Sequence, residues 1–390
     1  MRRYIIAIVL FVIVLAMPVA ESTRAVLGPY LVDNNYAIDP ENPNLELMAE
    51  DVEASVFLSG AEWHGTQASY DLQYAMLIGL HQMAGVNYFL LGEGYGTGQM
   101  YNMYLETGDP DLLDLIHEEI RFTNSSNHDH RVFWEKLFEY NQALPSEDRI
   151  TVVGIDLEYQ PNTARYYLSL LPGAEELPLL RDVRAGRGDI RDLISDIAAN
   201  EDDYRNILGD DFKHLEFVLH NLTVTSGMDP SAPDFYQRRE EAMYESFLRA
   251  HSHLPSGKYF GQITMEHIFQ HKANTPRLGS TPTLAMLLNG EGSPVQGNVV
   301  SIAAMYVESE FRFYFGRYYT IDMEEDLLRD RGPFRDLAHN PYTLFRLNNE
   351  DSPFARDIFT IRHPYGGRTT DYFQYLLFIH GSEPAQRHTS

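Results

Sequence analysis

An α/β fold with a mostly parallel central sheet flanked by helices is predicted by three features of the sequence. Short apolar runs of strand length recur along the chain, longer amphipathic stretches alternate with them, and one long span, residues 173–257, reads as almost wholly helical. Runs that are apolar on both faces fit strands covered by helices on both sides, as in parallel sheets. The span 173–257 stands between two such runs, so it is expected to form a helical cap inserted beside the sheet.

At the amino terminus, Arg2 and Arg3 precede an unbroken apolar run from Ile5 to Met17, then Pro18, and the first acid is Glu21. A short basic region before a mid-length apolar core is the layout of a secretory signal. The run is shorter than the roughly 20 residues of a membrane-spanning helix. Ala20 and Ser22 suit cleavage before Thr23, so residues 1–22 read as a signal peptide and 23–390 as one domain. The protein is then exported, either periplasmic or secreted, with a retained membrane anchor as the alternative. Strands are predicted over 54–63, 86–92, 150–157, 259–265, 299–306 and 372–379. Between the first two, Leu72, Ala75, Met76, Gly79, Leu80 and Met83 recur at helical spacing, which predicts a helix over Gln67–Ala84 closed by Gly85. Further helices are expected over 110–122, 130–143, 161–171, 190–207, 212–222 and 233–253. Residues 308–351, polar, aromatic and rich in turns, read as a lid or loop excursion.

Composition narrows the function. The chain is 44% hydrophobic with 25 Tyr and 21 Phe, ample for a large core, and it contains no cysteine. It therefore has no disulfides, no thiol nucleophile and no cysteine zinc site. A net charge of −26 argues against nucleic acid as a partner, because such binding rests on Lys and Arg neutralising phosphates. Beyond the signal segment it also argues against anionic membrane surfaces. The partner it leaves is a small-molecule substrate, with the oligomeric state open. Two Asn-x-Ser/Thr sequons stand at Asn124 and Asn221.

The informative pattern lies at the strand ends. The first strand ends in Glu62-Trp63-His64-Gly65-Thr66, the second in Gly92-Glu93-Gly94, the third in Asp156-Leu157-Glu158 and the fourth in Glu266-His267. If the first strand persists to His64, Glu62 and His64 share a face, because side chains alternate. Ligands of open α/β sheets bind beyond the carboxyl ends of the strands. Histidine beside a carboxylate suits a general base that activates water. Clustered carboxylates raise one another's pKa, which leaves one of them available as an acid. The same side chains offer a divalent metal site as an alternative, with Glu62, His64, Glu93, Asp156 and His267 as ligands; the first reading uses no cofactor. A G-x-S-x-G elbow, a phosphate-cradling glycine loop and the H-E-x-x-H zinc motif are all absent.

At these residues the sequence resembles the erythromycin esterase-like family, itself related to ChaN and Tiki-type proteins. The resemblance lies in 60–66 with its helix, 90–94, 151–157, Arg239-Glu240-Glu241-Ala242-Met243, the strand carrying His267, Arg277-Leu278-Gly279-Ser280, and 372–379. The resemblance implies a hydrolase of esters or related acyl bonds. It implies His64 as the base for a water, Glu93 as its paired carboxylate, and Arg239 and His267 as groups that orient substrate or stabilise an oxyanion. Glu62, Asp156, Glu158 and Glu266 remain as substrate-binding candidates. Two motifs depart from the family pattern. The family's glutamate three residues before the histidine is Ala61 here, with Glu62 one position later, and its H-N-x-H segment is reduced to Met265-Glu266-His267.

Overall fold

The structure, a computed structural model, describes residues 24–184, 188–273, 281–323, 332–357 and 365–387. Residues 1–22 of the expected signal peptide and the 277–280 segment of the resemblance lie outside the described residues. Ten strands are found among those described: β1 (Asn35–Ala37), β2 (Val56–Ser59), β3 (Val86–Leu91), β4 (Thr151–Gly154), β5 (Lys258–Gln262), β6 (Val299–Val307), β7 (Ser309–Arg312), β8 (Tyr318–Ile321), β9 (Tyr342–Arg346) and β10 (Tyr375–His380). Eight form one sheet in the order β1-β9-β10-β6-β2-β5-β3-β4, while β7 and β8 form a separate hairpin. The neighbours from β10 through β4 pair in parallel, and β9 and β1 extend the sheet by antiparallel pairing. The mostly parallel α/β fold is therefore observed. All six predicted strands are the parallel ones, and β2 and β6 are buried along their whole length, as strands covered on both faces must be.

Local chemistry sets the elements. Helix α1 (Gln67–Ala84) begins where the Thr66 side chain accepts the Ser69 N–H and ends at Gly85 with φ 71°, a conformation glycine adopts without steric cost. Together β2, α1 and β3 form the expected strand–helix–strand unit. Helix α2 (Tyr95–Thr107) was not expected, because Gly96 and Gly98 in its first turns lower helix propensity. Helix α3 (His128–Gln142) starts at the Asn127 cap. The described residues of the span 173–257 are mostly helical as predicted and include α4 (Phe212–Ser226) and α5 (Phe235–His253). Its expected 190–207 helix is broken at Asn200 into Ile190–Ala199 and Glu201–Leu208. Leu180, Leu193, Leu208 and Leu215 of this span are buried in the same continuous core as the sheet.

Residues 308–351 require a correction. Their described part is not a loop excursion: β9 is buried throughout and pairs with both β10 and β1, while β7 and β8 make the hairpin. The first strand also ends earlier than expected, at Ser59 rather than 63. Glu62 and His64 therefore lie beyond the strand, and alternation does not govern them.

Candidate active site

The tight segment after β2 is held from several sides. The Tyr306 hydroxyl donates to the Ala61 carbonyl at 2.6 Å, and the Trp63 N–H donates to Ser69 Oγ at 3.2 Å. Gly65, at φ 93°, accepts the Arg312 N–H at 2.9 Å and the Ala385 N–H at 2.8 Å. A Cβ at Gly65 would lie 2.3 Å from the Arg312 carbonyl oxygen, so the residue after His64 is glycine for both conformation and space. Trp63 packs against Tyr306 and Phe311, which ties the β7–β8 hairpin to this segment.

His64 emerges from that frame with its side chain 45% exposed, open enough to meet a substrate. Its Nε2 stands 3.6 Å from Glu62 Oε1. Its Nδ1 lies 3.1 Å from Ser125 Oγ, in the turn before α3. The partner of His64 is thus Glu62, not Glu93, and no direct hydrogen bond joins His64, Glu93 and His267 among the described residues. Glu62 takes this place because the chain has already left the strand, so a one-residue shift does not reverse its face.

Glu93 follows β3 and is half-buried, with its Oε2 sealed from solvent and lacking a hydrogen-bond partner in the structure. Burial pushes its carboxyl well above the usual carboxylate range. The neighbouring Glu158, Asp156 and Glu62 push it further, against an opposing pull from Arg239. Burial, ahead of the neighbouring carboxylates, is the main cause of the rise.

Asp156 and Glu158 do other work. Asp156 is buried and lies in the fork of Arg239, whose Nε donates to Oδ1 at 3.0 Å and to Oδ2 at 3.1 Å while a second guanidinium nitrogen donates to Oδ2. Asp156 Oδ1 also accepts the Leu157 N–H at 2.7 Å. Burial works against the Arg239 charge, but Asp156 outweighs it and raises the guanidinium further above its ordinary pKa. Glu158 is fully buried and caps α2, accepting the Gly96 N–H at 2.9 Å and the Thr97 hydroxyl. Burial pushes Glu158 up to about 7 while these hydrogen bonds oppose the rise. A Cβ at Gly94 would lie 2.4 Å from the Glu158 carboxylate, so the glycine pattern there exists for close packing, not for phosphate binding. Both carboxylate oxygens of Asp156 and of Glu158 are engaged in hydrogen bonds within the fold. Asn221 completes this buried layer: its side chain donates to the Asp156 carbonyl at 2.9 Å and accepts the Tyr95 N–H at 3.1 Å. Buried in this way, it is not a glycosylation site.

His267 lies on the short turn Met265–Ile268 after β5 and is buried. Its Nδ1 is bonded to Glu240, whose other oxygen accepts the Leu284 N–H. Glu266, on the same turn, is half-buried. Arg239 and Glu240 are adjacent on α5, so consecutive side chains of one helix reach the segments after β4 and β5. Among the described residues no group of three or more His, Asp or Glu side chains is placed to hold a metal ion. Of the conditional ligand set Glu62, His64, Glu93, Asp156 and His267, His64 is bonded to Ser125, Asp156 to Arg239 and His267 to Glu240.

Sequence reasoning missed Ser125 and Glu240. Glu240 was visible only as the neighbour of Arg239, and Ser125 lies in a polar turn with no strand end to flag it. Beneath His64, burial pushes the His130 imidazole well below its ordinary pKa, and His117 and His64 push it in the same direction. Trp134 donates to His130 Nε2 at 3.2 Å, which fixes that nitrogen as an acceptor.

No protein-family model matches the sequence, and no curated protein sequence does. Solved structures do share the fold. A protein from Bacillus cereus is 16% identical, with a TM-score of 0.62 over 93% of this chain and 98% of that one. A succinoglycan biosynthesis protein is also 16% identical, with a TM-score of 0.63 over 92% and 97% of the two chains. A mutant of the erythromycin esterase EreC in its open conformation is 12% identical, with a TM-score of 0.61 over 89% and 98%. At these identities the likeness is one of fold. Among the described residues no helix is long and apolar enough to cross a membrane.

Proposed function

We propose that the chain is a hydrolase that cleaves an ester or related acyl bond of a small molecule, with His64 as general base. The observation that carries this reading is the setting of His64: half-exposed, with Glu62 3.6 Å from Nε2 to stabilise the imidazolium that forms, and a raised acid, Glu93, interacting with the same Glu62. Glu93, kept protonated, donates a hydrogen bond to the developing oxyanion or a proton to the leaving oxygen. Arg239 and Glu240 act by position, holding the segments after β4 and β5. Water is the final acyl acceptor, and no bound metal is used. The shared fold with an erythromycin esterase supports the reaction class and leaves the substrate to experiment. A panel of p-nitrophenyl esters with wild type and His64→Ala tests the reading, and equal turnover in the two proteins removes it.

The enzyme is proposed to act outside the cytoplasm, after removal of residues 1–22. The mass of the mature N-terminus from the native host checks this.

A second reading is a ligand-binding protein that uses the same rim without turnover. It is favoured by the β7–β8 hairpin, where Tyr314, Phe315, Tyr318 and Tyr319 are exposed and the Tyr314 N–H is bonded to Asn124, next to Ser125. Ligand-induced thermal shifts without hydrolysis would select it.

A further inference from the structure

We propose that Ser125 is the first acceptor of the acyl group, so that hydrolysis passes through an acyl-serine formed by Ser125, His64 and Glu62; this rests on the esterase reading above. A neutral imidazole has one N–H and one lone pair. Glu62 stands on the Nε2 side, 3.6 Å away, and the field of a carboxylate favours the tautomer with its proton on Nε2. The lone pair of Nδ1 then points at Ser125 Oγ, 3.1 Å away. The proton within reach of His64 is therefore that of Ser125.

The turn that carries Ser125 is held on both sides. Asn127 caps α3 by accepting the His130 N–H at 2.9 Å, and its side chain donates to the Tyr70 hydroxyl at 2.8 Å. Asn124 Oδ1 accepts the Tyr314 N–H at 3.0 Å. The turn is thus anchored by two asparagines, one of them bonded to the buried Tyr70, with no G-x-S-x-G elbow. Such a constellation is defined by geometry and roles, not by sequence order.

The chemistry balances. His64 Nδ1 takes the Ser125 hydroxyl proton as Oγ bonds to the ester carbonyl carbon. The tetrahedral intermediate collapses by breaking the bond to the alkoxy oxygen, which leaves as the alcohol with the proton from His64. Water, deprotonated by the same nitrogen, then attacks the acyl-serine, and the acid departs as Ser125 regains its proton.

A fluorophosphonate probe followed by peptide mapping, alongside p-nitrophenyl acetate hydrolysis, tests the proposal. One adduct per chain on Ser125 is expected, absent in Ser125→Ala and His64→Gln, with ester turnover of Ser125→Ala reduced at least about 100-fold at an unchanged melting temperature. If folded Ser125→Ala hydrolyses the ester as wild type does while His64→Gln does not, the serine step is overturned and the esterase reading stands. Wild type inert to both probe and ester overturns both. Mapping on the wild-type protein stands whether or not the variants fold, and an adduct on any other residue overturns the assignment.

Discussion

Two acid-centred groups occupy the same rim of the sheet and differ in almost every physical respect. After β4, Asp156 is sealed in the fork of Arg239 and Glu158 is sealed against the first turn of α2, with the oxygens of both in hydrogen bonds. After β2, Glu62 faces a half-exposed histidine across 3.6 Å, beyond hydrogen-bonding distance. A buried carboxylate with both oxygens in hydrogen bonds holds structure. One that is loosely engaged at the surface retains capacity for chemistry, and position at a strand end does not distinguish the two.

Mutation should separate them. His64→Ala is expected to lower ester turnover by about 10²- to 10⁴-fold while costing less than about 0.5 kcal/mol of stability; steady-state kinetics beside urea melts would read both, and a large stability loss would erase the contrast. Asp156→Ala should do the reverse. It strands the Arg239 charge, which is largely buried, and should cost roughly 3–5 kcal/mol in denaturant unfolding. A variant as stable as wild type would mean that the fork carries little energy.

The pH dependence sharpens the same contrast. Glu158 is raised from 4.5 to about 7 in the folded chain, so folding takes up a proton between those values. Its contribution is most favourable below about pH 4.5 and is lost as pH rises through about 7, by no more than about 3 kcal/mol. Glu158→Gln keeps one acceptor for the Gly96 N–H and a donor for Thr97, and should flatten this part of the stability curve between pH 5 and 7.5. A curve of unchanged slope would show that Glu158 titrates normally. The smallest effect is expected from Thr66→Ala, which removes the α1 cap next to the His64 segment at a cost of about 1 kcal/mol.

How much of the fold and site is legible in the sequence depends on the range of the forces. The parallel strands were legible because burial on both faces writes itself into each run as continuous apolar sequence. β9 was not, because Tyr342–Arg346 is short and embedded in polar sequence, and only its partners β10 and β1 make it a strand. Helix α2 was hidden by its glycines. Their reason is tertiary: a Cβ at Gly98 would lie 2.7 Å from the Gly154 nitrogen, so helix and strand backbones meet there directly. In the candidate site, His64 and Glu93 stood out at strand ends, and so did Asp156. Its commitment to Arg239, 83 residues away, did not. Ser125 reaches His64 across 61 residues through a turn whose local sequence says only that it is polar.

The adjacent pair Arg239 and Glu240 limits how the helical span can vary. Successive helical residues diverge by about 100° around the axis, so the two side chains can reach Asp156 and His267 together in only one rotational setting of α5. Length changes confined to the outer connections of this span leave that setting intact. Adding or removing one residue within α5 ahead of the pair would swing both side chains off their targets, so related chains should trade outer helices freely while keeping the phase of this one.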